Sequence, residues 1–407
     1  MGFSIDPRSL SPERRAQLDE LFGDLTDQRA SVDAITPEER RARIARLAAG
    51  LSDAGVDAYL CEGGATMRYL IGQATGRSER LVGLVIPASG EPFWIVPAFE
   101  QSRIEALMAA GDGAHCVLPW DEHEYPYAPL ARAMQERRIE RLALDPDLRY
   151  RFVAGCAREL GRQALVDGLG LVTELRGIKD EHEIALLRRA NELTQLAQRR
   201  VAQTLEPGLT STDLAERATW AQHRLGLTDI WNLSLLGPAG AFPHGEERVR
   251  SMQTGTPILL DTGGCLHGYQ SDNTRSWVLG GKPDSEYRKL WHLVRDAQRA
   301  AFDALKPDAH CGSADDAARA VLERGGYGPG YTYLTHRLGH GIGTEGHEGP
   351  YLDGGAQDRL RPGMCFSNEP GIYLPGNLGL RIEDIMVVTA DGADHFGTWQ
   401  QGPESAA

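Results

Sequence analysis

With 407 residues and 41% apolar composition, the chain is long enough for a full core and long for a single domain, so two domains are expected and global disorder is excluded. A net charge of -14 with no lysine- or arginine-rich block argues against nucleic acid or an anionic membrane as the main partner. Six widely spaced cysteines without CxxC pairs read as buried thiols, and the absence of a basic-then-apolar leader or a membrane-length apolar run leads to the expectation of a cytoplasmic protein.

Residues 1–36 are polar and charged, and are expected to form a helical extension packed on the surface or against a partner subunit. In "TPEERRARIARLAAGLSDAGVDAYL", Ile44, Leu47 and Leu51 keep helical spacing, a glycine stop follows, and "VDAYL" starts a strand. Strands are expected at "RLVGLVIP", "EPFWIVPAF" and "RLALDP", with a helix over "FEQSRIEALMAAG". This alternation defines an α/β domain over residues 37–170.

A second domain, 174–402, opens with "ELRGIKDEHEIALLRRANELTQLAQRRVAQTL". Asp180 and Glu183 are spaced as a capping box, and Ile184, Leu187, Ala190, Leu193, Ala197 and Val201 share one helical face. "STDLAERA" (211–218) and "SADDAARA" (313–320) echo one another, each after a long amphipathic helix and ahead of paired strand-like segments bearing carboxylates. The matching order predicts an internal duplication.

In the first half, "PILLDTGGCLHGYQSDNTRSWVLG" places Asp261 and Asp272 where a hairpin brings them face to face. Either residue alone reads as a cap or a turn former. In the second half, Glu369 ends the strand-like run of "CFSNEPGIY" and Glu383 sits inside the apolar strand "LGLRIEDIMVV". A carboxylate buried there needs a cation or a donor network. Alternation puts Arg381 on the face of Glu383, where a surface ion pair is the plainer reading.

Four carboxylates with at least one histidine make a hard-ligand site for two divalent cations about 3.5–4 Å apart, favouring Mn²⁺, Fe²⁺, Co²⁺ or Zn²⁺. Such a pair supplies hydroxide near neutral pH and polarises a carbonyl, which is the chemistry of amide hydrolysis. "THRLGHGIGTEGHEGP" offers His336, His340 and His347, but the glutamate of an HExxH site is missing and Gly339, Gly341 and Gly343 make a helix improbable, which disfavours zincin chemistry. His244 follows a Pro/Gly-rich loop in "LLGPAGAFPHGEE".

From about residue 174 to 400 the chain resembles the pita-bread metallopeptidases, namely aminopeptidase P, prolidase (Xaa-Pro dipeptidase) and methionine aminopeptidase, on the motifs "LLDTG", "QSDNTRS", "LGHGIG", "SNEPGIY" and "RIEDI". The resemblance implies a pita-bread fold with a pseudo-twofold duplication, behind a creatinase/prolidase-like N-terminal α/β domain that methionine aminopeptidase lacks. It implies the metal ligands Asp261, Asp272, His340, Glu369 and Glu383, with Glu369 also shuttling a proton. His244, His336, His347 and Arg381 are implied as substrate-facing groups, with His244 and His347 aiding catalysis.

The expected function is hydrolysis of the Xaa-Pro bond, chiefly of dipeptides, by a metal-bridging hydroxide, with two ions (Mn²⁺ first), a small peptide substrate and a homodimer. The proline imide carries no N–H, which gives a dedicated enzyme its physical reason. Aminopeptidase P, ectoine hydrolase and a metal-free binding module are the alternatives. Creatinases lack the full ligand set, and dimethylsulfoniopropionate lyases of this fold carry an aspartate where this chain has Gly263.

Overall fold

The computed structural model describes residues 5–109, 116–246 and 248–407, which divide into two compact units. Residues 35–176 form one, and residues up to 34 join 177–407 in the other. No helix among the described residues is long and apolar enough to cross a membrane.

After α1 (Pro12–Phe22), which belongs to the larger unit, the smaller unit runs α2 (Pro37–Asp53), β1 (Ala58–Glu62), α3 (Ala65–Ile71), β2 (Gly83–Pro87), β3 (Phe93–Pro97), α4 (Gln101–Ala109), β4 (Cys116–Trp120), α5 (Tyr127–Glu136), β5 (Leu142–Leu144), α6 (Tyr150–Leu160), β6 (Leu165–Asp167) and α7 (Leu169–Gly177). Thr36 and Glu39 close a capping box at the start of α2. The strands form one mixed sheet in the order β4-β3-β2-β1-β5-β6. Alternation along β1 sends Tyr59 and Cys61 into the core on one face and Ala58 and Leu60 into that on the other. The helix expected over residues 99–111 begins as a short 3-10 turn before α4, and its last two residues lie outside the described residues.

The larger unit continues with α8 (Glu181–Ala202), α9 (Ser211–Arg224), β7 (Thr228–Leu236), β8 (Pro257–Leu266), β9 (Tyr269–Gln270), β10 (Asn273–Val278), α10 (Ser285–Ala304), α11 (Gly312–Arg324), β11 (Gly339–Gly341), β12 (Glu348–Leu352), β13 (Cys365–Asn368), β14 (Gly371–Leu374), β15 (Leu378–Arg381), β16 (Asp384–Val388) and β17 (Ala393–His395). Asp180 and Glu183 form the expected capping box on α8. Two long helices thus precede each group of strands. The antiparallel order β10-β8-β7 in the first half is matched by β16-β13-β11 in the second.

The pairing registers align the halves residue by residue: Thr262 faces Asn273 as Asn368 faces Asp384. Asp272 and Glu383, each immediately before its strand, are therefore equivalent. Asp261 and Glu369 are offset by two residues and keep a common face.

Three expectations need correcting. The extension at residues 1–36 does more than rest on the surface: Leu18 and Phe22 are fully buried in the same core cluster as Leu193, Leu214 and Leu260, because α1 has an apolar edge that fits α9. Cys116 is exposed, whereas the other five cysteines are buried, and all six are free. Glu383 lies in a two-residue break between β15 and β16 rather than inside one strand.

Candidate metal centre

Asp261 sits on β8 opposite Thr274 of β10, and alternation from Thr274 brings Asp272 to the same face. His340 is the middle residue of β11, at an irregularity in its pairing with β12 that re-aims the strand. Gly339 beside it is required by close approach, since a Cβ there would stand 2.0 Å from the Ser367 carbonyl oxygen. Glu369 follows β13, with its N–H bonded to the Leu338 carbonyl, and the N–H of Glu383 donates to the Thr274 carbonyl of the other half. Both halves therefore deliver carboxylates to one place.

The five groups predicted as ligands interlock in space. Asp261, Asp272 and Glu383 bring ligand atoms within 4.8 Å of one another, as do His340, Glu369 and Glu383. His340 Nε2 lies 3.3 Å from Glu369 Oε1 and 3.7 Å from Asp272 Oδ2. Its Nδ1 stands 3.1 Å from the Gly341 carbonyl, to which it can only donate, so in the neutral ring the lone pair is on Nε2 and faces the carboxylates. That arrangement is repulsive without a cation or proton between them. His347 stacks on His340 with ring centroids 3.7 Å apart and forms a third ligand-capable group with Asp272 and His340.

The electrostatics show unbalanced negative charge. Burial, reinforced by the neighbouring carboxylates, pushes Asp261, Asp272 and Glu383 up from their ordinary values, the latter two far. Burial pushes Glu369 up as well, but with a proton on His340 Nε2 the hydrogen bond it then donates, together with the positive charges of protonated His336 and His340 and of Arg381, overturns this and brings Glu369 to about 2. Burial and the adjoining His340 lower His347 to about 4, so its ring is neutral at pH 7.

Arg381 is not in a surface pair with Glu383. It is buried, donates to Asp261 Oδ2 at 2.5 Å, and also bonds Thr274 Oγ1 and Tyr373 Oη. Tyr373 Oη stands 2.7 Å from His336 Nε2, and His336 Nδ1 donates to the Arg337 carbonyl, so a hydrogen-bonded chain runs from Asp261 to His336. Thr274 Oγ1 donates to Glu383 Oε2 at 2.7 Å.

The other oxygens of the two aspartates, Asp261 Oδ1 and Asp272 Oδ1, are buried and accept no hydrogen bond. Orphaned carboxylate oxygens of this kind call for a cation or a proton, and an oxygen-rich set with one imidazole suits Mn²⁺, Fe²⁺, Co²⁺ or Zn²⁺. The residues present fit the divalent ions.

These groups line a cavity of about 550 Å³, together with His244, Trp231, Leu233 and Arg337. The size suits a small ligand. Sequence reasoning missed Arg337, a cation at the cavity whose guanidinium lies over the Tyr351 ring, although its place between His336 and His340 was a signal. Gly263 is closed to a side chain, because a Cβ would stand 1.8 Å from the Ser271 carbonyl oxygen, so the lyase-type aspartate has no room.

A buried, two-half carboxylate and histidine centre in a small cavity defines a metal-dependent hydrolase. Residues 185–390 match the model of metallopeptidase family M24, and residues 43–178 match that of the creatinase/prolidase N-terminal domain. The chain belongs to metallopeptidase family M24, and its fold is the pita-bread architecture behind a creatinase-type domain.

Among its relatives, "Probable dipeptidase PepE" of Mycobacterium tuberculosis is 36% identical over 361 residues, covering 86% of this chain and 92% of that one. The "Xaa-Pro dipeptidase" of Lactobacillus delbrueckii subsp. lactis is 32% identical, covering 85% and 94%. The crystal structure of dipeptidase PepE from Mycobacterium ulcerans superposes with a TM-score of 0.84 at 33% identity, covering 91% and 98%.

Proposed function

We propose that this metallopeptidase is an Xaa-Pro dipeptidase in which Asp261, Asp272, His340, Glu369 and Glu383 hold two divalent ions, Mn²⁺ first among them. The observation that carries the reading is the pair of buried aspartate oxygens without hydrogen-bond partners, Asp261 Oδ1 and Asp272 Oδ1, in a centre where His340 Nε2 stands against Asp272 Oδ2 and Glu369 Oε1. The similarity to proteins named dipeptidase and Xaa-Pro dipeptidase supports the substrate class.

When bound, the ions supply nucleophilic hydroxide near neutral pH and polarise the scissile carbonyl. Glu369, ionised and lining the cavity, accepts the proton of the attacking water and returns it to the departing proline nitrogen. His347, held neutral, offers an N–H to the developing oxyanion, and His244 lines the same space. Arg381 and His336 orient the site through Asp261 and Tyr373. Arg337 offers a charge to the free carboxylate of a dipeptide's proline.

We also infer a homodimer, on family grounds, and a cytoplasmic location, supported by six free cysteines. Assay of the Mn²⁺-loaded protein on Ala-Pro, an Xaa-Pro tripeptide and ectoine tests the reading. Turnover of Ala-Pro above the other two is expected. Preference for the tripeptide would indicate an aminopeptidase P, and turnover of ectoine alone would overturn the peptidase assignment.

A further inference from the structure

Two glutamines lie behind the centre, outside the cavity and unused by the chemistry above. Gln198, on α8 and 1% exposed, donates through Nε2 to the Leu260 carbonyl at 3.1 Å and the Asn273 carbonyl at 2.7 Å. Gln298, on α10 and also 1% exposed, donates through Nε2 to the Asn368 carbonyl at 3.3 Å and to Asp384 Oδ2 at 3.0 Å. The four acceptors share one property. Leu260 precedes Asp261, Asn273 follows Asp272, Asn368 precedes Glu369 and Asp384 follows Glu383. Each glutamine therefore spans the chain neighbours of both carboxylates of its own half.

The duplicated architecture explains the placement, because α8 and α10 are the first long helices of the two halves. Neighbouring amides extend the same device. Asn191 Oδ1, one helical face along α8, accepts the N–H of Asp272 at 3.1 Å, and Gln195 Nε2 donates to Asp384 Oδ1 at 3.1 Å. Arg275 joins the halves, donating to Asp384 Oδ1 at 2.6 Å and to the Glu383 carbonyl at 2.8 Å. Fully buried donors with these bonds hold their acceptors firmly, since breaking one leaves a buried polar group unsatisfied.

We propose that Gln198 and Gln298 are positioning residues of the metal centre, each setting the separation of the two carboxylate-bearing strands of its half so that the ligand atoms stand ready for the ions. The proposal rests on the ligand assignment above. Outer partners of metal ligands typically govern affinity by about 10- to 100-fold.

The test is Mn²⁺ titration of the metal-stripped full-length protein by calorimetry, with the fold checked by circular dichroism. Gln198→Met and Gln298→Met remove the donor at similar volume, while Gln198→Asn and Gln298→Asn keep an amide that cannot reach both acceptors. Gln400→Met is the control, because Gln400 is also buried, at 4% exposed, and bonds the Ser276, Gly402 and Ser405 carbonyls, none of which adjoins a proposed ligand. Asp272→Asn tests the ligand assignment itself.

The Gln198 and Gln298 variants are expected to bind Mn²⁺ at least about 10-fold more weakly than the wild type, and Gln400→Met to bind as the wild type does. Wild-type affinity in the Gln198 and Gln298 variants, with affinity lost in Asp272→Asn, overturns the positioning role and leaves the ligands standing. An equal loss in Gln400→Met also overturns it. Wild-type affinity in Asp272→Asn overturns the ligand assignment and the positioning role together.

Discussion

Arg381 holds one oxygen of Asp261 at 2.5 Å and leaves the other, Oδ1, buried without a hydrogen-bond partner. The pair shows how a buried carboxylate is oriented before any ion arrives: one oxygen is fixed by a guanidinium, and the other is presented to the cavity. Burial works against the Arg381 charge, but Tyr373 and the surrounding carboxylates hold it firmly protonated.

Arg381→Lys keeps the charge and loses the planar fork that reaches Asp261, Thr274 and Tyr373 together. We expect kcat/KM to fall by about 10- to 100-fold with an unchanged circular dichroism spectrum. Steady-state kinetics on Ala-Pro check this, and wild-type rates would show that the charge alone suffices.

The two stacked histidines should separate by experiment. His340→Ala is expected to lose metal, because the Nε2 lone pair faces Asp272 and Glu369. His347→Ala is expected to keep two ions per chain and lose about 10²- to 10³-fold in kcat, the scale of one lost oxyanion donor. Elemental analysis of both variants decides. Metal lost from His347→Ala would make His347 a ligand, through its group with Asp272 and His340.

Stability of the chelated protein should depend on pH in an unusual direction. Asp272 and Glu383 are raised in the folded state, first by burial, so the folded form binds more protons than the unfolded one. Their contribution is fully present below the unfolded values of about 4 and is lost as pH rises through the folded ones. Glu369, at about 2, opposes this only at more acid pH, where its stabilisation disappears. His336 and His347, lowered chiefly by burial, oppose it as pH falls below their unfolded value of about 6.5, and the expected order holds because the two carboxylates are raised far. With chelator, Tm is expected to be higher at about pH 5.5 than at about pH 7.5, and excess Mn²⁺ should reverse the order by binding the ionised forms. Differential scanning fluorimetry measures both, and a chelated protein that melts higher at the higher pH would refute the charge balance.

Arg337 is the expected anchor for the substrate carboxylate. Arg337→Leu should raise KM for Ala-Pro about 10-fold or more, the value of a charge-assisted hydrogen bond, with kcat little changed. The amide of the same dipeptide should show no such difference between variant and wild type. Equal KM values for the free dipeptide would place the carboxylate elsewhere.

What the sequence disclosed follows from which forces leave a local pattern. Asp261 and Asp272 stood out because each adjoins an apolar strand, and the two sit on one hairpin-like segment. Arg381 was assigned to Glu383 because spacing reports only neighbours along the chain, whereas its partner Asp261 lies 120 residues away. Asn191, Gln195 and Gln198 escaped notice because polar residues at helical spacing read as a solvated face. Here they are buried, on a helix whose apolar stripe is elsewhere. In the smaller unit, α3, α5 and α6 were missed because short helices with mixed polar and aromatic residues give little periodic signal, although all three pack on the sheet cores.

Release of free proline from Ala-Pro, measured on protein shown to hold two Mn²⁺ per chain, tests the central claim most directly. The account predicts steady release that disappears in Asp272→Asn and Glu383→Gln while both variants stay folded. Protein that carries two ions per chain yet releases no proline from Ala-Pro or any other Xaa-Pro dipeptide would contradict it.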